Sequence, residues 1–203
     1  IELEFGRSML LEAGEALDFL LHYPYGCVEQ TSSSTIPWIA ALNLQKKTST
    51  FRGKNEGEIR QSIQTGVNRL LSMQCDDGGL AYWPGGTSSE KWGSAYGGMA
   101  LLLCREAGAN VPESALKELR RYLTGTLRGI VTSKDWKEIE TACRTCYTLA
   151  LGGSPQISYQ NKLLEAPEHL TPTCLSFLSL AVAKSGGEDA MSRARDILSL
   201  EVA

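Results

Sequence analysis

The sequence predicts an all-α fold, a stack of helical hairpins. Three observations carry that prediction. Apolar residues recur at three- and four-residue steps in eight segments. Several joints between segments are glycine doublets, among them Gly78-Gly79, Gly152-Gly153 and Gly186-Gly187. No apolar–polar alternation is long enough to read as a strand. The 203 residues, 42% hydrophobic and 21% charged, suffice for one domain with a real core. A net charge of −3 without a basic run gives no footprint for nucleic acid or an anionic membrane. The longest apolar run, residues 99–104, is far too short to span a bilayer. No signal peptide is visible. The chain opens at Ile1, so residues 1–203 read as one domain of a larger multidomain protein.

Taken in order, the first helical stripe is Met9, Leu10, Ala13, Ala16, Leu17, Leu20 and Leu21. A turn at Tyr23-Pro24-Tyr25-Gly26 leads into a second helix over residues 34–46. Pro37 sits in its first turn, where a missing N–H does no harm. The hydroxyl run from Thr31 to Thr35 supplies its N-cap candidates. Ile59, Ile63, Val67, Leu70 and Leu71 mark the third helix. It stops at Asp76-Asp77-Gly78-Gly79, a helix-ending turn. The fourth carries Ala95, Met99, Leu102 and Leu103. Leu116, Leu119, Leu123 and Leu127 mark the fifth. Trp136, Ile139, Cys143, Cys146, Tyr147 and Ala150 mark the sixth. A loop with Pro155 and Pro167 follows. The seventh, residues 172–184, is apolar on most sides, as an inner helix is. Met191, Ala194, Ile197 and Leu198 mark the eighth.

Chemistry concentrates at Gly26-Cys27-Val28-Glu29-Gln30. A thiol and a carboxamide three positions apart can condense. Ammonia leaves, and the Cys27 sulfur is acylated by the Gln30 side-chain carbonyl. Gly26 allows the tight backbone of such a ring. The start of the following helix favours a Cys27 thiolate, the better leaving group. Glu29 either bonds amides of the ring or faces water. Tyr23, Tyr25 and Trp38 are either shields against water or core. Spacing alone favours an ordinary turn, because Cys-x-x-Gln is a commonplace pattern.

The run PYGCVEQTSS resembles the thioester motif of the α2-macroglobulin and complement family. Many members have glycine where Val28 stands. A larger apolar residue there, with the leading Tyr-Pro-Tyr, is similar to the bacterial α2-macroglobulins. Gln74, Gly78 and Trp83 resemble the Gln…Gly…Trp connection of α/α-toroid proteins such as terpenoid cyclases. There the Gln amide can bond backbone groups at helix ends, and the indole can pack over the joint. The resemblance implies an α/α toroid lacking its C-terminal part, since eight helices make four hairpins and a closed ring needs six.

It further implies a Cys27–Gln30 thioester, supported by Gly26, Glu29, Tyr23 and Tyr25. It implies no catalytic residue, cofactor or metal, and no enzyme activity. The partners implied are target proteases, captured through lysine amines, and neighbouring domains of the parent protein. The location implied is extracytoplasmic: periplasmic, cell-envelope or secreted. Some complement-type members use a histidine that falls within residues 136–141, where this chain has none. Direct attack by amines follows. Two rivals remain at this point: a structural toroid without a thioester, and a toroid enzyme of the cyclase or prenyl-transfer type. The latter needs an acidic or zinc-lined cavity, and Asp76-Asp77 is the only adjacent aspartate pair.

The other constellations are weaker. Cys143 and Cys146 fall on one apolar stripe, as small buried hydrophobes do, and lack two further zinc ligands at a recognisable spacing. With Cys27 committed, Cys75, Cys104, Cys143, Cys146 and Cys174 cannot all pair within one chain. His22 and His169 stand at a helix end and in a loop.

Overall fold

A computed structural model of the chain describes residues 26–47 and 55–200. Its helices are α1 (Val28–Lys47), α2 (Glu56–Leu71), α3 (Lys91–Glu106), α4 (Glu113–Ile130), α5 (Trp136–Leu151), α6 (Ile157–Leu164), α7 (Pro172–Ser185) and α8 (Ala190–Leu198). The expected helix with Met9 and Leu21, and with it His22, Tyr23 and Tyr25, lies outside the described residues. Among the described residues the only bridges of β type are isolated, Gln74 with Leu80 and Ala81 with Ser89.

The helices alternate between two layers. α1, α3, α5 and α7 pack each against the next. α2, α4 and α6 each lie over two successive members of that row, and α8 lies over α7. This is the inner and outer alternation of an α/α toroid, as the sequence predicts. The burial pattern follows from it. Outer α4 hides one stripe, Leu116, Leu119, Leu123, Leu127 and Ile130, at helical spacing. Each of these side chains contributes about 2 kcal/mol by leaving water. Inner α3 is touched on several sides and buries ten of its sixteen residues. Many are small, so neighbours approach closely: a Cβ added at Gly98 would lie 3.0 Å from Leu119.

The joints use caps written in the sequence. Asn55 and Glu58 form a capping box at α2, Asp135 caps α5, and Thr171 caps α7 ahead of Pro172. Gln74 bonds two backbone carbonyls, Gly78 at 3.1 Å and Ala115 at 2.9 Å. That ties the loop after α2 to the first turn of α4, the backbone-bonding role expected of it. Asp77 closes the turn, accepting from the Gly79 N–H at 3.0 Å.

Five expectations need correction. The second helix begins at Val28, not near residue 34, so Pro37 lies in its interior. The hydroxyl run does not cap it. Ser32 donates to the Val28 carbonyl at 2.7 Å, and Thr35 to that of Thr31 at 2.6 Å, inside a turn already helical. Trp83 does not pack over the joint; it is 52% exposed and meets Tyr82 edge-on at 5.6 Å. The loop between Pro155 and Pro167 contains α6, an eight-residue helix, followed by a 3₁₀ turn at Pro167–His169. Flanking prolines masked a helix too short to show a full apolar period. Trp136 opens α5 in solvent, 59% exposed, rather than on its buried stripe.

The core makes stability sensitive to alkali. Burial pushes the Cys104 and Cys146 thiols up to about 12 from an ordinary 9.0. Above pH 9 the unfolded chain gives up these protons while the folded chain keeps them. Stability is therefore whole below pH 9 and lost as pH climbs toward 12, at about 1 kcal/mol per pH unit for each thiol. Cys174, held down at about 6, acts oppositely, and only between pH 6 and 9. The urea midpoint is expected to fall steadily between pH 9 and 11. Cys143, also driven up, adds to the slope, and Cys104→Ala should make it shallower by about 1 kcal/mol per pH unit.

Candidate functional site

The site is a helix cap. The Thr31 N–H donates to the Cys27 carbonyl at 2.9 Å, the first bond of α1, so Cys27 is the N-cap residue and Gln30 the third helical position. The Gln30 N–H donates to Cys27 Sγ at 3.5 Å. In return the Cys27 N–H donates to Gln30 Oε1 at 3.3 Å. This is the reciprocal geometry of a capping box, with a thiol in place of the usual hydroxyl. The Cys-x-x-Gln spacing is thus the spacing at which a helix start brings two side chains back onto its own backbone. Sulfur and carboxamide are held on one side of one turn before any bond joins them. Cys27 is buried, Gln30 half-buried and Glu29 exposed.

Three contacts hold this turn. Arg69 of α2 donates from Nε to the Gly26 carbonyl at 3.1 Å. A Cβ at Gly26 would lie 2.5 Å from Thr31 Oγ1 and 3.1 Å from that same Nε. Gly26 is absent from the positive-φ glycines. Its role is close approach, not the special backbone expected from the sequence. The Val28 N–H donates to the Tyr82 carbonyl at 2.9 Å, which fastens the loop after α2 to the start of α1. Val28 is wholly buried, and its methyl groups face Gly93 and Gly97, one turn apart on α3. A branched residue at 28 is matched to that glycine face.

Tyr82 is the site residue the sequence did not reveal. Its ring belongs to the same loop, and the neighbouring Cys27 and, more weakly, Glu29 push the phenol up to about 12, Cys27 being the largest cause. Fifty-five positions separate Tyr82 from Cys27, and no local pattern links them. Arg69 escaped notice for the same reason.

The stretch 136–141, where a histidine was sought, lies at the start of α5. Glu140 there pairs with Arg144 at 3.1 Å. The Arg144 guanidinium is enclosed by Trp92, Tyr96 and Phe177, with ring centres 4.9, 4.9 and 4.8 Å away. Burial lowers its pKa, and Glu140 and the more distant Glu29 oppose that shift. The Tyr96 hydroxyl in turn shares a hydrogen bond of 3.0 Å with Ser33. An arginine in an aromatic box therefore occupies this side of the motif.

A cleft of about 430 Å³ runs between α1 and α2 and reaches Gln30. Its walls include Ser34, Thr35, Gln61, Thr65 and Arg69, and buried Trp38 also lines it. His169, exposed in its 3₁₀ turn, lies 3.9 Å from Glu168 and joins nothing at Cys27. Cys104, Cys143, Cys146 and Cys174 are fully buried, and Cys75 is half-buried.

An α/α toroid with this cap at the head of an inner helix defines a class of domain. A family model described as the A-macroglobulin TED domain matches residues 3–129. The chain belongs to that family, in its bacterial branch. TED domains of this family are parts of protease inhibitors, not of enzymes. Among curated relatives, the alpha-2-macroglobulin of Escherichia coli strain K12 is 37% identical over 105 residues, 50% of this chain and 6% of that protein. That of Thermotoga maritima is 32% identical over 121 residues, 60% of this chain and 7% of that protein. The chain thus spans only about one fifteenth of these relatives' length. Among solved structures, trypsin-activated alpha-2-macroglobulin from E. coli matches 86% of this chain and 13% of that one, with a TM-score of 0.71 and 27% identity.

Proposed function

We propose that Cys27 and Gln30 form an internal thioester through which the domain captures amines covalently. The observation that carries this reading is the reciprocal cap, Gln30 N–H to Cys27 Sγ and Cys27 N–H to Gln30 Oε1. Cys27 Sγ attacks Gln30 Cδ, the C–N bond breaks, and ammonia leaves. The Cys27 N–H, already on Oε1, stabilises the oxyanion that forms at that oxygen. The same donor serves the second reaction. An amine attacks Gln30 Cδ, the C–S bond breaks, and an amide remains with a free Cys27 thiol. The helix N-terminus favours the departing thiolate. Each chain reacts once.

The larger setting is part of the proposal. The E. coli relative whose structure is similar was activated by trypsin. By analogy the amine belongs to a lysine of an attacking protease, held beside the electrophile at high effective concentration. Residues 1–203 then form one domain of a longer extracytoplasmic inhibitor. Its neighbouring domains, with Tyr23 and Tyr25, shield the thioester from water until cleavage elsewhere exposes it. Glu29, being exposed, supports the site through Tyr82 rather than by bonding ring amides.

The test is intact mass of the full-length protein under denaturing conditions, before and after methylamine. The expected result is a chain lighter than its sequence by one ammonia, one methylamine gained at Gln30 and one thiol released at Cys27. Full mass with no uptake would sink the reading. Tyr82→Phe is expected to slow thiol release about 3- to 10-fold, because it removes the hydroxyl that can donate to the departing sulfur. An unchanged rate would make Tyr82 a bystander.

A further inference from the structure

The peptide unit between Gly26 and Cys27 is bonded on both edges. Its N–H, that of Cys27, donates to Gln30 Oε1 at 3.3 Å. Its carbonyl, that of Gly26, accepts from Arg69 Nε at 3.1 Å. Arg69 stands in the last turn of α2. The two bonds thus lie on opposite sides of one planar amide. Their approach needs glycine, since a Cβ at Gly26 would lie 3.1 Å from that same Nε. Three other N–H groups of the turn are committed elsewhere. Val28 donates to the Tyr82 carbonyl, Gln30 to Cys27 Sγ and Thr31 to the Cys27 carbonyl.

Charge that develops on Oε1 therefore depends on how well the Cys27 N–H is aimed and how strongly it donates. Both are governed from the far side of the amide. A bond at the Gly26 carbonyl fixes the peptide plane, and a rotated plane would swing the Cys27 N–H off Oε1. The same bond draws electron density from nitrogen to oxygen and leaves the N–H a stronger donor. A guanidinium draws more than a neutral group does, a charge-assisted bond being roughly twice as strong. Arg69 is half-buried, so water screens its charge only in part.

We infer that Arg69 is a positioning residue for acyl transfer at Gln30: through the Gly26–Cys27 amide it aims and polarises the N–H that holds the oxyanion. The inference rests on the thioester reading above. Charge builds on Oε1 when Cys27 Sγ attacks Gln30 Cδ, and again when an amine attacks the same carbon. Arg69 exchanges no proton in either step and acts through one peptide unit. Aiming needs only a donor at the position of Nε, whereas full polarisation needs the charge as well. Glutamine separates the two, because its Nε2 follows Cβ, Cγ and Cδ as the Nε of arginine does. Methionine keeps the stem and removes both.

The test uses the full-length protein and its Arg69→Gln and Arg69→Met variants. Methylamine uptake is timed by intact mass on chains that have lost ammonia. The thioester carbonyl stretch is taken from infrared difference spectra before and after methylamine, with glutamine isotope-labelled at Cδ. Urea midpoints check folding. Uptake is expected to be about 3- to 5-fold slower in Arg69→Gln and about 10-fold slower in Arg69→Met, a fraction of what losing a whole oxyanion donor costs. The stretch should move to higher frequency in the same order, because a weaker donor leaves the carbonyl bond stronger. A role in stability alone would lower the urea midpoint and leave the stretch in place. The parent rate with an unmoved stretch in Arg69→Gln overturns the inference, whatever Arg69→Met does. A parent protein that neither lacks ammonia nor takes up methylamine overturns the thioester reading itself, and shows this before any variant is made.

Discussion

Replacing Cys27 by alanine is expected to abolish amine uptake, from one methylamine per chain to none. It should also restore the mass of the missing ammonia. The electrophile exists only because sulfur has displaced nitrogen at Gln30 Cδ, and an ordinary carboxamide does not acylate methylamine in neutral water. Gln30→Glu is the sharper variant. A glutamate at the third helical position keeps the capping box, since its oxygen can still accept the Cys27 N–H. It retains the side-chain reach but loses the ammonia leaving group. It should fold like the parent chain and take up nothing. The cap lost in Cys27→Ala costs about 1 kcal/mol, too little to unfold the domain. Loss of uptake in either variant therefore reports chemistry, not folding. Stoichiometric uptake by Gln30→Glu would place the acyl group elsewhere.

Gly78→Ala is expected to cost about 2–4 kcal/mol of stability, read as a shift of the urea midpoint. Two effects add. Gly78 has φ of +92°, a conformation that side chains rarely adopt. A Cβ there would also run into the Glu118 carbonyl of α4, and backbone in the middle of a helix cannot swing aside as a flexible side chain can. The Gln74 bonds to the Gly78 and Ala115 carbonyls pin the same joint, so relief by moving the loop would break them. The loop continues to Tyr82, whose carbonyl holds Val28. Part of the strain should consequently reach the site and slow amine uptake as well. Gly153 gives the contrast. Its φ is +73°, yet nothing lies within 4 Å of an added Cβ, so Gly153→Ala should cost only the backbone strain, about 1 kcal/mol.

The expected elements that fall in the described residues were legible because each buries a stripe repeating at helical spacing. Leu116, Leu119, Leu123 and Leu127 show it best. Where an element lacked that repeat, reading failed. The first turns of α1 bury Thr31, Ser32 and Thr35, hydroxyl residues that read as a loop but bond their own helix carbonyls. Pro37 reinforced the error, because an interior proline is rare in isolated helices and is tolerated here within a packed inner helix. α6 was too short to display its pattern.

The candidate site divides along the same line. Cys27 and Gln30 were legible as a pair because a helix cap is local: four consecutive residues contain both partners and their spacing. Sequence by itself also determined the all-α class, the turns at Asp77 and Gly78, and the family. Everything holding the pair in place came from distant parts of the chain. Arg69 on Gly26, the Tyr82 carbonyl on Val28 and the glycine face of α3 against Val28 are contacts between elements. They exist only once packing has chosen which helix lies beside which, and side-chain periodicity tells which face is buried but not what it meets.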